Sequence, residues 1–406
     1  RSFGVFEETI YVYCPSNRGC DADDSSATGS LERPASTLER GLALAALVNA
    51  TTIAVAGRGD GAAYEESIRI TQPISVMGGY SPDFSERDPA RFPTIVRSNT
   101  ERTVLVFGNT PTVSLSGLTL AGNGPTLEDV LLARFSEGLQ LDQVDIRVEL
   151  PDEATPRPSR AVYGVNIQDS VVRMNGGTID VTSDEARVED LQSYGGFFAE
   201  RSTVSLEDTQ VVFRGSARGF GIIARTSDFT AQRIRVEVGV GFDPSLLDRS
   251  TSGVSCTSGP SCIVEDSTIL GGRRALQLSR IADGVVRRNL IGTFGCVADT
   301  DSTASTLYFF SRACTGFQNI AGCEDEAALD LSNNVIFAQG QFAVAMDVGS
   351  SVLPPQVAHN SLIADGSTLS VAVLNTDYDR ANFANNLLYA APSTFSTCFM
   401  MSDTVD

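Results

Sequence analysis

From about Val104 onward, apolar and polar residues alternate with a period of two in short runs of four or five residues. Val113, Leu115, Leu118 and Leu120 form one such set, and Leu139, Leu141, Val144, Ile146 and Val148 another, each changing phase across a small polar residue. A period of two marks a β-strand with one buried face, whereas a helix repeats near every 3.6 residues. The phase changes fall at Ser116, Asp142, Asn175, Asp208, Gln232, Asp266, Asn289, Asn333, Asn360 and Asn385, and their shortest spacings cluster near two dozen residues. A unit of that length holds three short strands and their turns, which is one coil of a β-solenoid. Asn, Asp and Gly suit the corners because they tolerate the left-handed backbone that a sharp turn requires. Asparagines stacked on successive coils would share amide hydrogen bonds.

The pattern predicts an all-β chain folded as a right-handed parallel β-helix of three-stranded coils. Residues 1–103 are expected to form an N-terminal cap and the first coils, and residues 104–406 the following coils with loop insertions, in one continuous solenoid. The exception to the β pattern is the stretch from Thr37 to Val48. There Ser36 and Glu39 read as a capping box, and Leu38, Leu42, Ala45 and Val48 share one helical face. Such a helix would shield the open end of the first coil. No comparable device follows Cys398 and Phe399, so the last coil is expected to continue into further chain or to meet a neighbour.

Three phrases, Ser332-Asn333-Asn334-Val335-Ile336, His359-Asn360-Ser361-Leu362-Ile363 and Ala384-Asn385-Asn386-Leu387-Leu388, resemble the repeats of bacterial right-handed β-helix proteins of the pectate-lyase-like superfamily. Thr9-Ile10-Tyr11-Val12, Tyr64-Glu65 and Ile74-Ser75-Val76-Met77-Gly78-Gly79-Tyr80 resemble the N-terminal segment of secreted members, which the resemblance makes the first coils with no catalytic role. The superfamily includes polysaccharide lyases, hydrolases and esterases. Of the motifs that a polygalacturonase-like enzyme would carry, only Asn375-Thr376-Asp377 occurs, without its partners. A lyase would need a basic residue near the reacting proton; Arg273, Arg274, Arg280, Arg287 and Arg288 are the densest arginines, with Asp283 nearby as an ion-pair partner.

Charge narrows the partners. The 406 residues carry 50 acids against 30 basic residues, all of them arginine, for a net charge of −20. That balance excludes nucleic acid and disfavours anionic membranes or polyanionic sugars, and it favours neutral or cationic partners. No apolar run approaches the ~20 residues that span a bilayer. Eight cysteines include two close pairs, Cys14 with Cys20 and Cys256 with Cys262, whose spacing suits disulfide staples and whose surroundings lack zinc-site spacing. They imply an oxidising, extracellular or cell-surface location. The pairing of Cys296, Cys314, Cys323 and Cys398 stays open.

Insertions at Glu149–Arg160, Thr182–Ser193, Gly241–Gly253 and Ala298–Ala327 lengthen four coils. Each is expected to follow the strand after the corner, so the four would stack as one acidic ridge carrying Asp152, Glu153, Asp184, Glu185, Asp243, Asp248, Asp299, Asp301, Glu324 and Asp325. The cofactor suggested is Ca2+. Asp21, Asp23, Ser25 and Glu32 copy positions one, three, five and twelve of an EF-hand loop, although Ser26 stands where that loop wants glycine. Arg58-Gly59-Asp60 reads as an adhesion tripeptide, and His359 as a turn residue. A full scaffold without full catalytic motifs points to a non-catalytic extracellular or cell-surface protein for adhesion, binding or self-assembly. Its partners would be carbohydrate, protein, or copies of itself end to end; the alternative is a polysaccharide-active enzyme.

Overall fold

The computed structural model describes residues 9–16, 20, 26–59, 61–108, 112–124, 126–149, 161–182, 194–214, 219–239, 251–271, 274–293, 305–311, 328–338, 342–348, 355–365, 369–375, 382–390 and 395–401. The chain is a right-handed parallel β-helix whose strands lie in three parallel sheets. It forms two compact units, the first of residues 1–158 and 162–180 and the second of 159–161 and 181–406.

In the first unit, sheet I runs through Thr9–Val12, Thr52–Ala56, Ile74–Tyr80, Val113–Ser116, Leu139–Asp142 and Val171–Asn175. Sheet II holds Ile68–Ile70, Arg102–Phe107, Asp129–Arg134 and Val162–Gln168, and sheet III holds Ala63–Glu65, Thr94–Ser98, Leu118–Gly122 and Asp145–Glu149. Register explains the alternation in the sequence. Val76, Leu115, Leu141 and Met174 stand opposite one another on successive strands, and all are buried. In the second unit the column Leu206, Ala231, Val264, Val286, Leu331 and Val357 repeats the arrangement. Each inward side chain therefore packs on its counterpart one coil away, and the apolar area removed from water drives the stacking.

The expected corners prove to combine two neighbouring jobs. At these corners in the second unit the left-handed residues are Asp208, Arg233, Asp266, Arg288, Asn333, His359 and Asn385, with φ between 50° and 58°. The residue after each points inward. Gln232, Asn289 and Asn360 were expected as corners and lie one position away from the left-handed residue. In the first unit Gln143 and the glycines Gly117 and Gly176 take that conformation rather than Asp142, Ser116 and Asn175. His359 turns the chain, and its neighbour Asn360 does different work.

That work is a buried amide ladder. The Asn289 backbone N–H and Nδ2 both donate to Asn334 Oδ1 (2.9 and 3.0 Å), and Asn334 donates in the same way to Asn360, and Asn360 to Asn386. Each Nδ2 also donates to a backbone carbonyl, Val264 for Asn289, Val286 for Asn334, Leu331 for Asn360 and Val357 for Asn386. Ser267 extends the ladder backward, accepting from the Ile234 N–H and donating its own N–H to Asn289. The turn between sheets II and I uses serine instead. Ser170 Oγ accepts from the Ser136 N–H and Ser227 Oγ from the Ser202 N–H, and each of these hydroxyls donates to the carbonyl two residues before it.

The helix spans Leu38–Val48 and packs on Thr9–Val12 and Thr52–Ala56. Its cap is Thr37, one residue after the expected Ser36, and the Thr37 hydroxyl accepts from the Arg40 N–H. The Glu66 carboxylate from the following coil accepts from the Leu38 and Glu39 N–H groups and takes the remaining donors. Burial raises the Glu66 carboxyl above its ordinary range, and those backbone bonds pull it partly back. Gly41, Leu44 and Ala45 face the sheet together with Leu38, while Leu42 and Val48 are only half-buried.

Disulfides join Cys14 to Cys20 and Cys256 to Cys262, with Cα–Cα distances of 5.7 and 6.3 Å. The second is buried and crosses the turn between the strands Ser252–Thr257 and Ser261–Glu265.

Candidate functional site

The ten acidic ridge residues lie outside the described residues, but their flanking strands fix where each connection leaves the coil. Residues 150–160, 183–193, 240–250 and 294–304 each lead from a sheet III strand to a sheet II strand. The insertion expected over Ala298–Ala327 is in fact interrupted by the strand Ser305–Ser311. Residues 312–327, with Glu324 and Asp325, therefore join sheet II to sheet I and leave the shared phase.

Of the calcium candidates, Asp21, Asp23 and Ser25 lie outside the described residues, and Glu32 is exposed. Among the described residues no three metal-ligating side chains come together. Of the tripeptide Arg58-Gly59-Asp60, Asp60 lies outside the described residues, and Arg58 donates to the carbonyls of Cys14, Pro15 and Ala63 and lies 5.6 Å from the centre of the Tyr64 ring.

One of the clustered arginines, Arg288, ties a corner to the coil before it. It makes a two-pronged pair with Asp266 (2.6 and 2.8 Å), as Arg233 does with Asp208 two coils earlier (2.7 and 2.9 Å). These bonds hold both aspartates below the usual carboxylate range. Arg287 pairs with Asp330 at 2.6 Å rather than with Asp283.

The outer face of sheet I in the first unit forms a groove of about 380 Å³. Two lateral rows of outward side chains line it. Ser75, Ser114, Gln140 and Arg173 stand in register in one, and Met77, Ser116, Asp142 and Asn175 in the other. Asn175 Nδ2 donates to Asp142 Oδ1 at 3.2 Å. Arg87 reaches in from the connection after Tyr80, donating Nε to the Gly78 carbonyl and Nη2 to Ser116 Oγ, both at 2.9 Å. Its connection is tightened by Asp83, which accepts from the Ser81 and Ser85 hydroxyls; those bonds hold its carboxyl down at about 2. Arg173 is exposed and makes no ion pair among the described residues. The groove thus offers hydroxyl, amide, guanidinium and carboxylate groups at strand spacing, roughly 4.8 Å. Sequence reading passed over Gln140, Arg173 and Arg87. The first two alternate with buried neighbours just before a corner, which is the signal that marks an outward row.

A second cluster lies at the start of the sheet II strands. Arg102 pairs with Glu101, Glu128 and Asp129, and Asp129 is also held by Asn166 Nδ2 at 2.9 Å. Arg102 and Glu101 line a cavity of about 520 Å³ with Ser67, Asn99, Thr100 and Leu105. Burial pushes the Asp129 carboxyl up to about 6, against the lowering effect of Asn166 and Arg102.

A folded-state value above that of the unfolded chain means that the native state holds the proton more tightly. The stabilisation from protonation is therefore fully present below about pH 4 and is lost as the pH rises to about 6. The expected loss is about 2–3 kcal/mol over that interval. Urea unfolding of the wild type and of Asp129→Asn at several pH values checks this: the difference between the two should change across the interval and stay flat above it. Parallel pH profiles would refute it.

No family model and no curated protein matches the chain. Among solved structures it is similar to the A-module of a mannuronan C-5 epimerase from Azotobacter vinelandii, with 12% identity, 91% of this chain and 96% of that one covered, and a TM-score of 0.42. It is also similar to tailspike protein 3 of bacteriophage CBA120, with 12% identity, 98% and 60% covered, and a TM-score of 0.37.

Proposed function

We propose that this chain is a non-catalytic extracellular or cell-surface β-helix protein that binds an extended, neutral glycan along the sheet I groove. One observation carries the reading: two outward rows, Ser75–Ser114–Gln140–Arg173 and Met77–Ser116–Asp142–Asn175, polar at every position but Met77, cross four successive strands side by side. Hydroxyl-rich ligands are held by such spaced donors and acceptors on a rigid frame. A neutral chain suits a protein of net charge −20 better than a polyanion. The two disulfides support an oxidising location.

The test is calorimetry against a panel of neutral polysaccharides, with chromatography of the same samples. Binding without released fragments is expected. Gln140→Ala combined with Arg173→Ala should weaken it about tenfold or more, since each lost polar contact contributes about 1 kcal/mol. Unchanged affinity in that variant would refute the groove.

A second reading has its own observation, the three carboxylates around Arg102 beside the cavity of about 520 Å³. It makes the chain a polysaccharide-active enzyme. Released oligosaccharides that disappear in Glu128→Gln would favour it over binding alone.

A further inference from the structure

The groove on the outer face of sheet I in the first unit differs at its two ends. Its second row runs on in register past Met77, through Ala54 to Tyr11. These positions point outward, since Ile53 and Val55 on either side of Ala54 belong to the core. Ala54 is nevertheless only 2% exposed. The connection after Tyr80 covers it. Tyr11 and Tyr80 belong to the strands on either side of Thr52–Ala56, and the Phe84 ring meets both, at 4.9 and 6.0 Å between centres, so it lies across the strand between them.

Phe84 is held there against its own preference. Its φ is 58°, the left-handed conformation that bulky residues avoid and that the surrounding structure must enforce. The bracing comes from Asp83, which accepts from the Ser81 and Ser85 hydroxyls, from the Phe84 N–H donating to the Ser81 carbonyl at 2.9 Å, and from an antiparallel bridge between Tyr80 and Arg87. Beside the ring, the Arg87 guanidinium lies 5.8 Å from the centre of the Tyr80 ring and bonds the Gly78 carbonyl and Ser116 Oγ. At this end the lining of the groove begins with Ser75, Met77 and Arg87, and the next positions of the two rows, Thr52 and Ala54, take no part in it. At the other end Gln140, Asp142, Arg173 and Asn175 are all exposed.

We propose that the groove receives the end of a glycan chain and not an interior stretch. This rests on glycan binding in the groove and adds which part of the polymer is recognised. An interior stretch needs an exit at both ends of its groove, whereas a terminal sugar can stop against a wall. The wall here is Met77 and Arg87, backed by Tyr80 and Phe84. A terminal sugar presents a hydroxyl that an interior residue has lost to the next linkage, and the guanidinium has N–H donors beyond the two already bonded.

Calorimetry of the full chain against narrow size fractions of linear glucans, mannans and xylans, compared at equal mass, tests it. Recognition of chain ends makes the number of sites per mass fall in inverse proportion to chain length, while the affinity per site stays the same. Arg87→Ala should weaken that affinity about tenfold or more, as loss of a hydrogen bond from a charged group does. Sites per mass that stay constant across the fractions overturn the proposal and leave glycan binding in the groove standing. Full affinity in Arg87→Ala overturns it as well. No binding to any of these glycans refutes the groove itself, and chain-end recognition with it.

Discussion

Replacing Asn334 by leucine is expected to lower the stability of the second unit by about 3–5 kcal/mol, because it orphans buried backbone groups rather than opening a cavity. Asn334 is 1% exposed, and its side chain makes four hydrogen bonds. Leucine fills nearly the same space. It strips the Asn289 N–H of its acceptor and the Val286 carbonyl and Asn360 Oδ1 of the Asn334 amide donor, and each unmet buried group costs about 1–3 kcal/mol. The residue before it provides the internal control. Asn333 is exposed and left-handed, so Asn333→Gly should stay within about 0.5 kcal/mol of the wild type. Chemical denaturation of the two variants side by side separates ladder from corner, and similar losses at both positions would refute the division.

The second large effect is expected at Gly271, where the chain leaves the strand Thr268–Gly271 with φ 91°. A Cβ there would lie 1.9 Å from the carbonyl oxygen of Val238, the residue opposite it on the preceding coil. Backbone cannot yield as a flexible side chain can, so Gly271→Ala combines an unfavourable φ with a backbone clash. About 3–5 kcal/mol is expected, from strain and overpacking together. Gly108 isolates the first term: its φ is 100°, but nothing lies within 4 Å of an added Cβ. Gly108→Ala should cost only about 1 kcal/mol. Thermal melts of the pair decide the matter, and equal shifts would show that the clash is relieved.

The coil was legible in the sequence because strand register makes its evidence local. Leu139, Leu141, Val144, Ile146 and Val148 announce their burial by alternation alone, and every one of them is buried. The corner positions were legible to within one residue. The error has a cause: the left-handed residue and the ladder residue are adjacent, both favour small polar side chains, and the pairs Asn333-Asn334 and Asn385-Asn386 look alike at either position. At His359-Asn360 and Arg288-Asn289 the two jobs separate. The strand Ser305–Ser311 was missed because no polar corner residue follows it closely, so it merged with the connections on either side.

The candidate sites were far less legible. Gln140 and Arg173 become neighbours only through the pairing of strands 33 positions apart, as Asn175 and Asp142 do. Arg87 enters the groove because its connection folds back over Gly78. Asp129 opens an apolar strand and reads as an ordinary polar flank, until Arg102 and Asn166 arrive from the coils on either side.

The asparagine column has a consequence for how such a chain can change in length. Asn334, Asn360 and Asn386 repeat at intervals of 26 residues and make interchangeable bonds, each amide fitting the one before and the one after. Excision or duplication of one interval would bring together ends that already match. Growth and shortening by whole turns are thus open to the gene without any redesign of the interior, while a change by a fraction of a turn would mismatch every later layer.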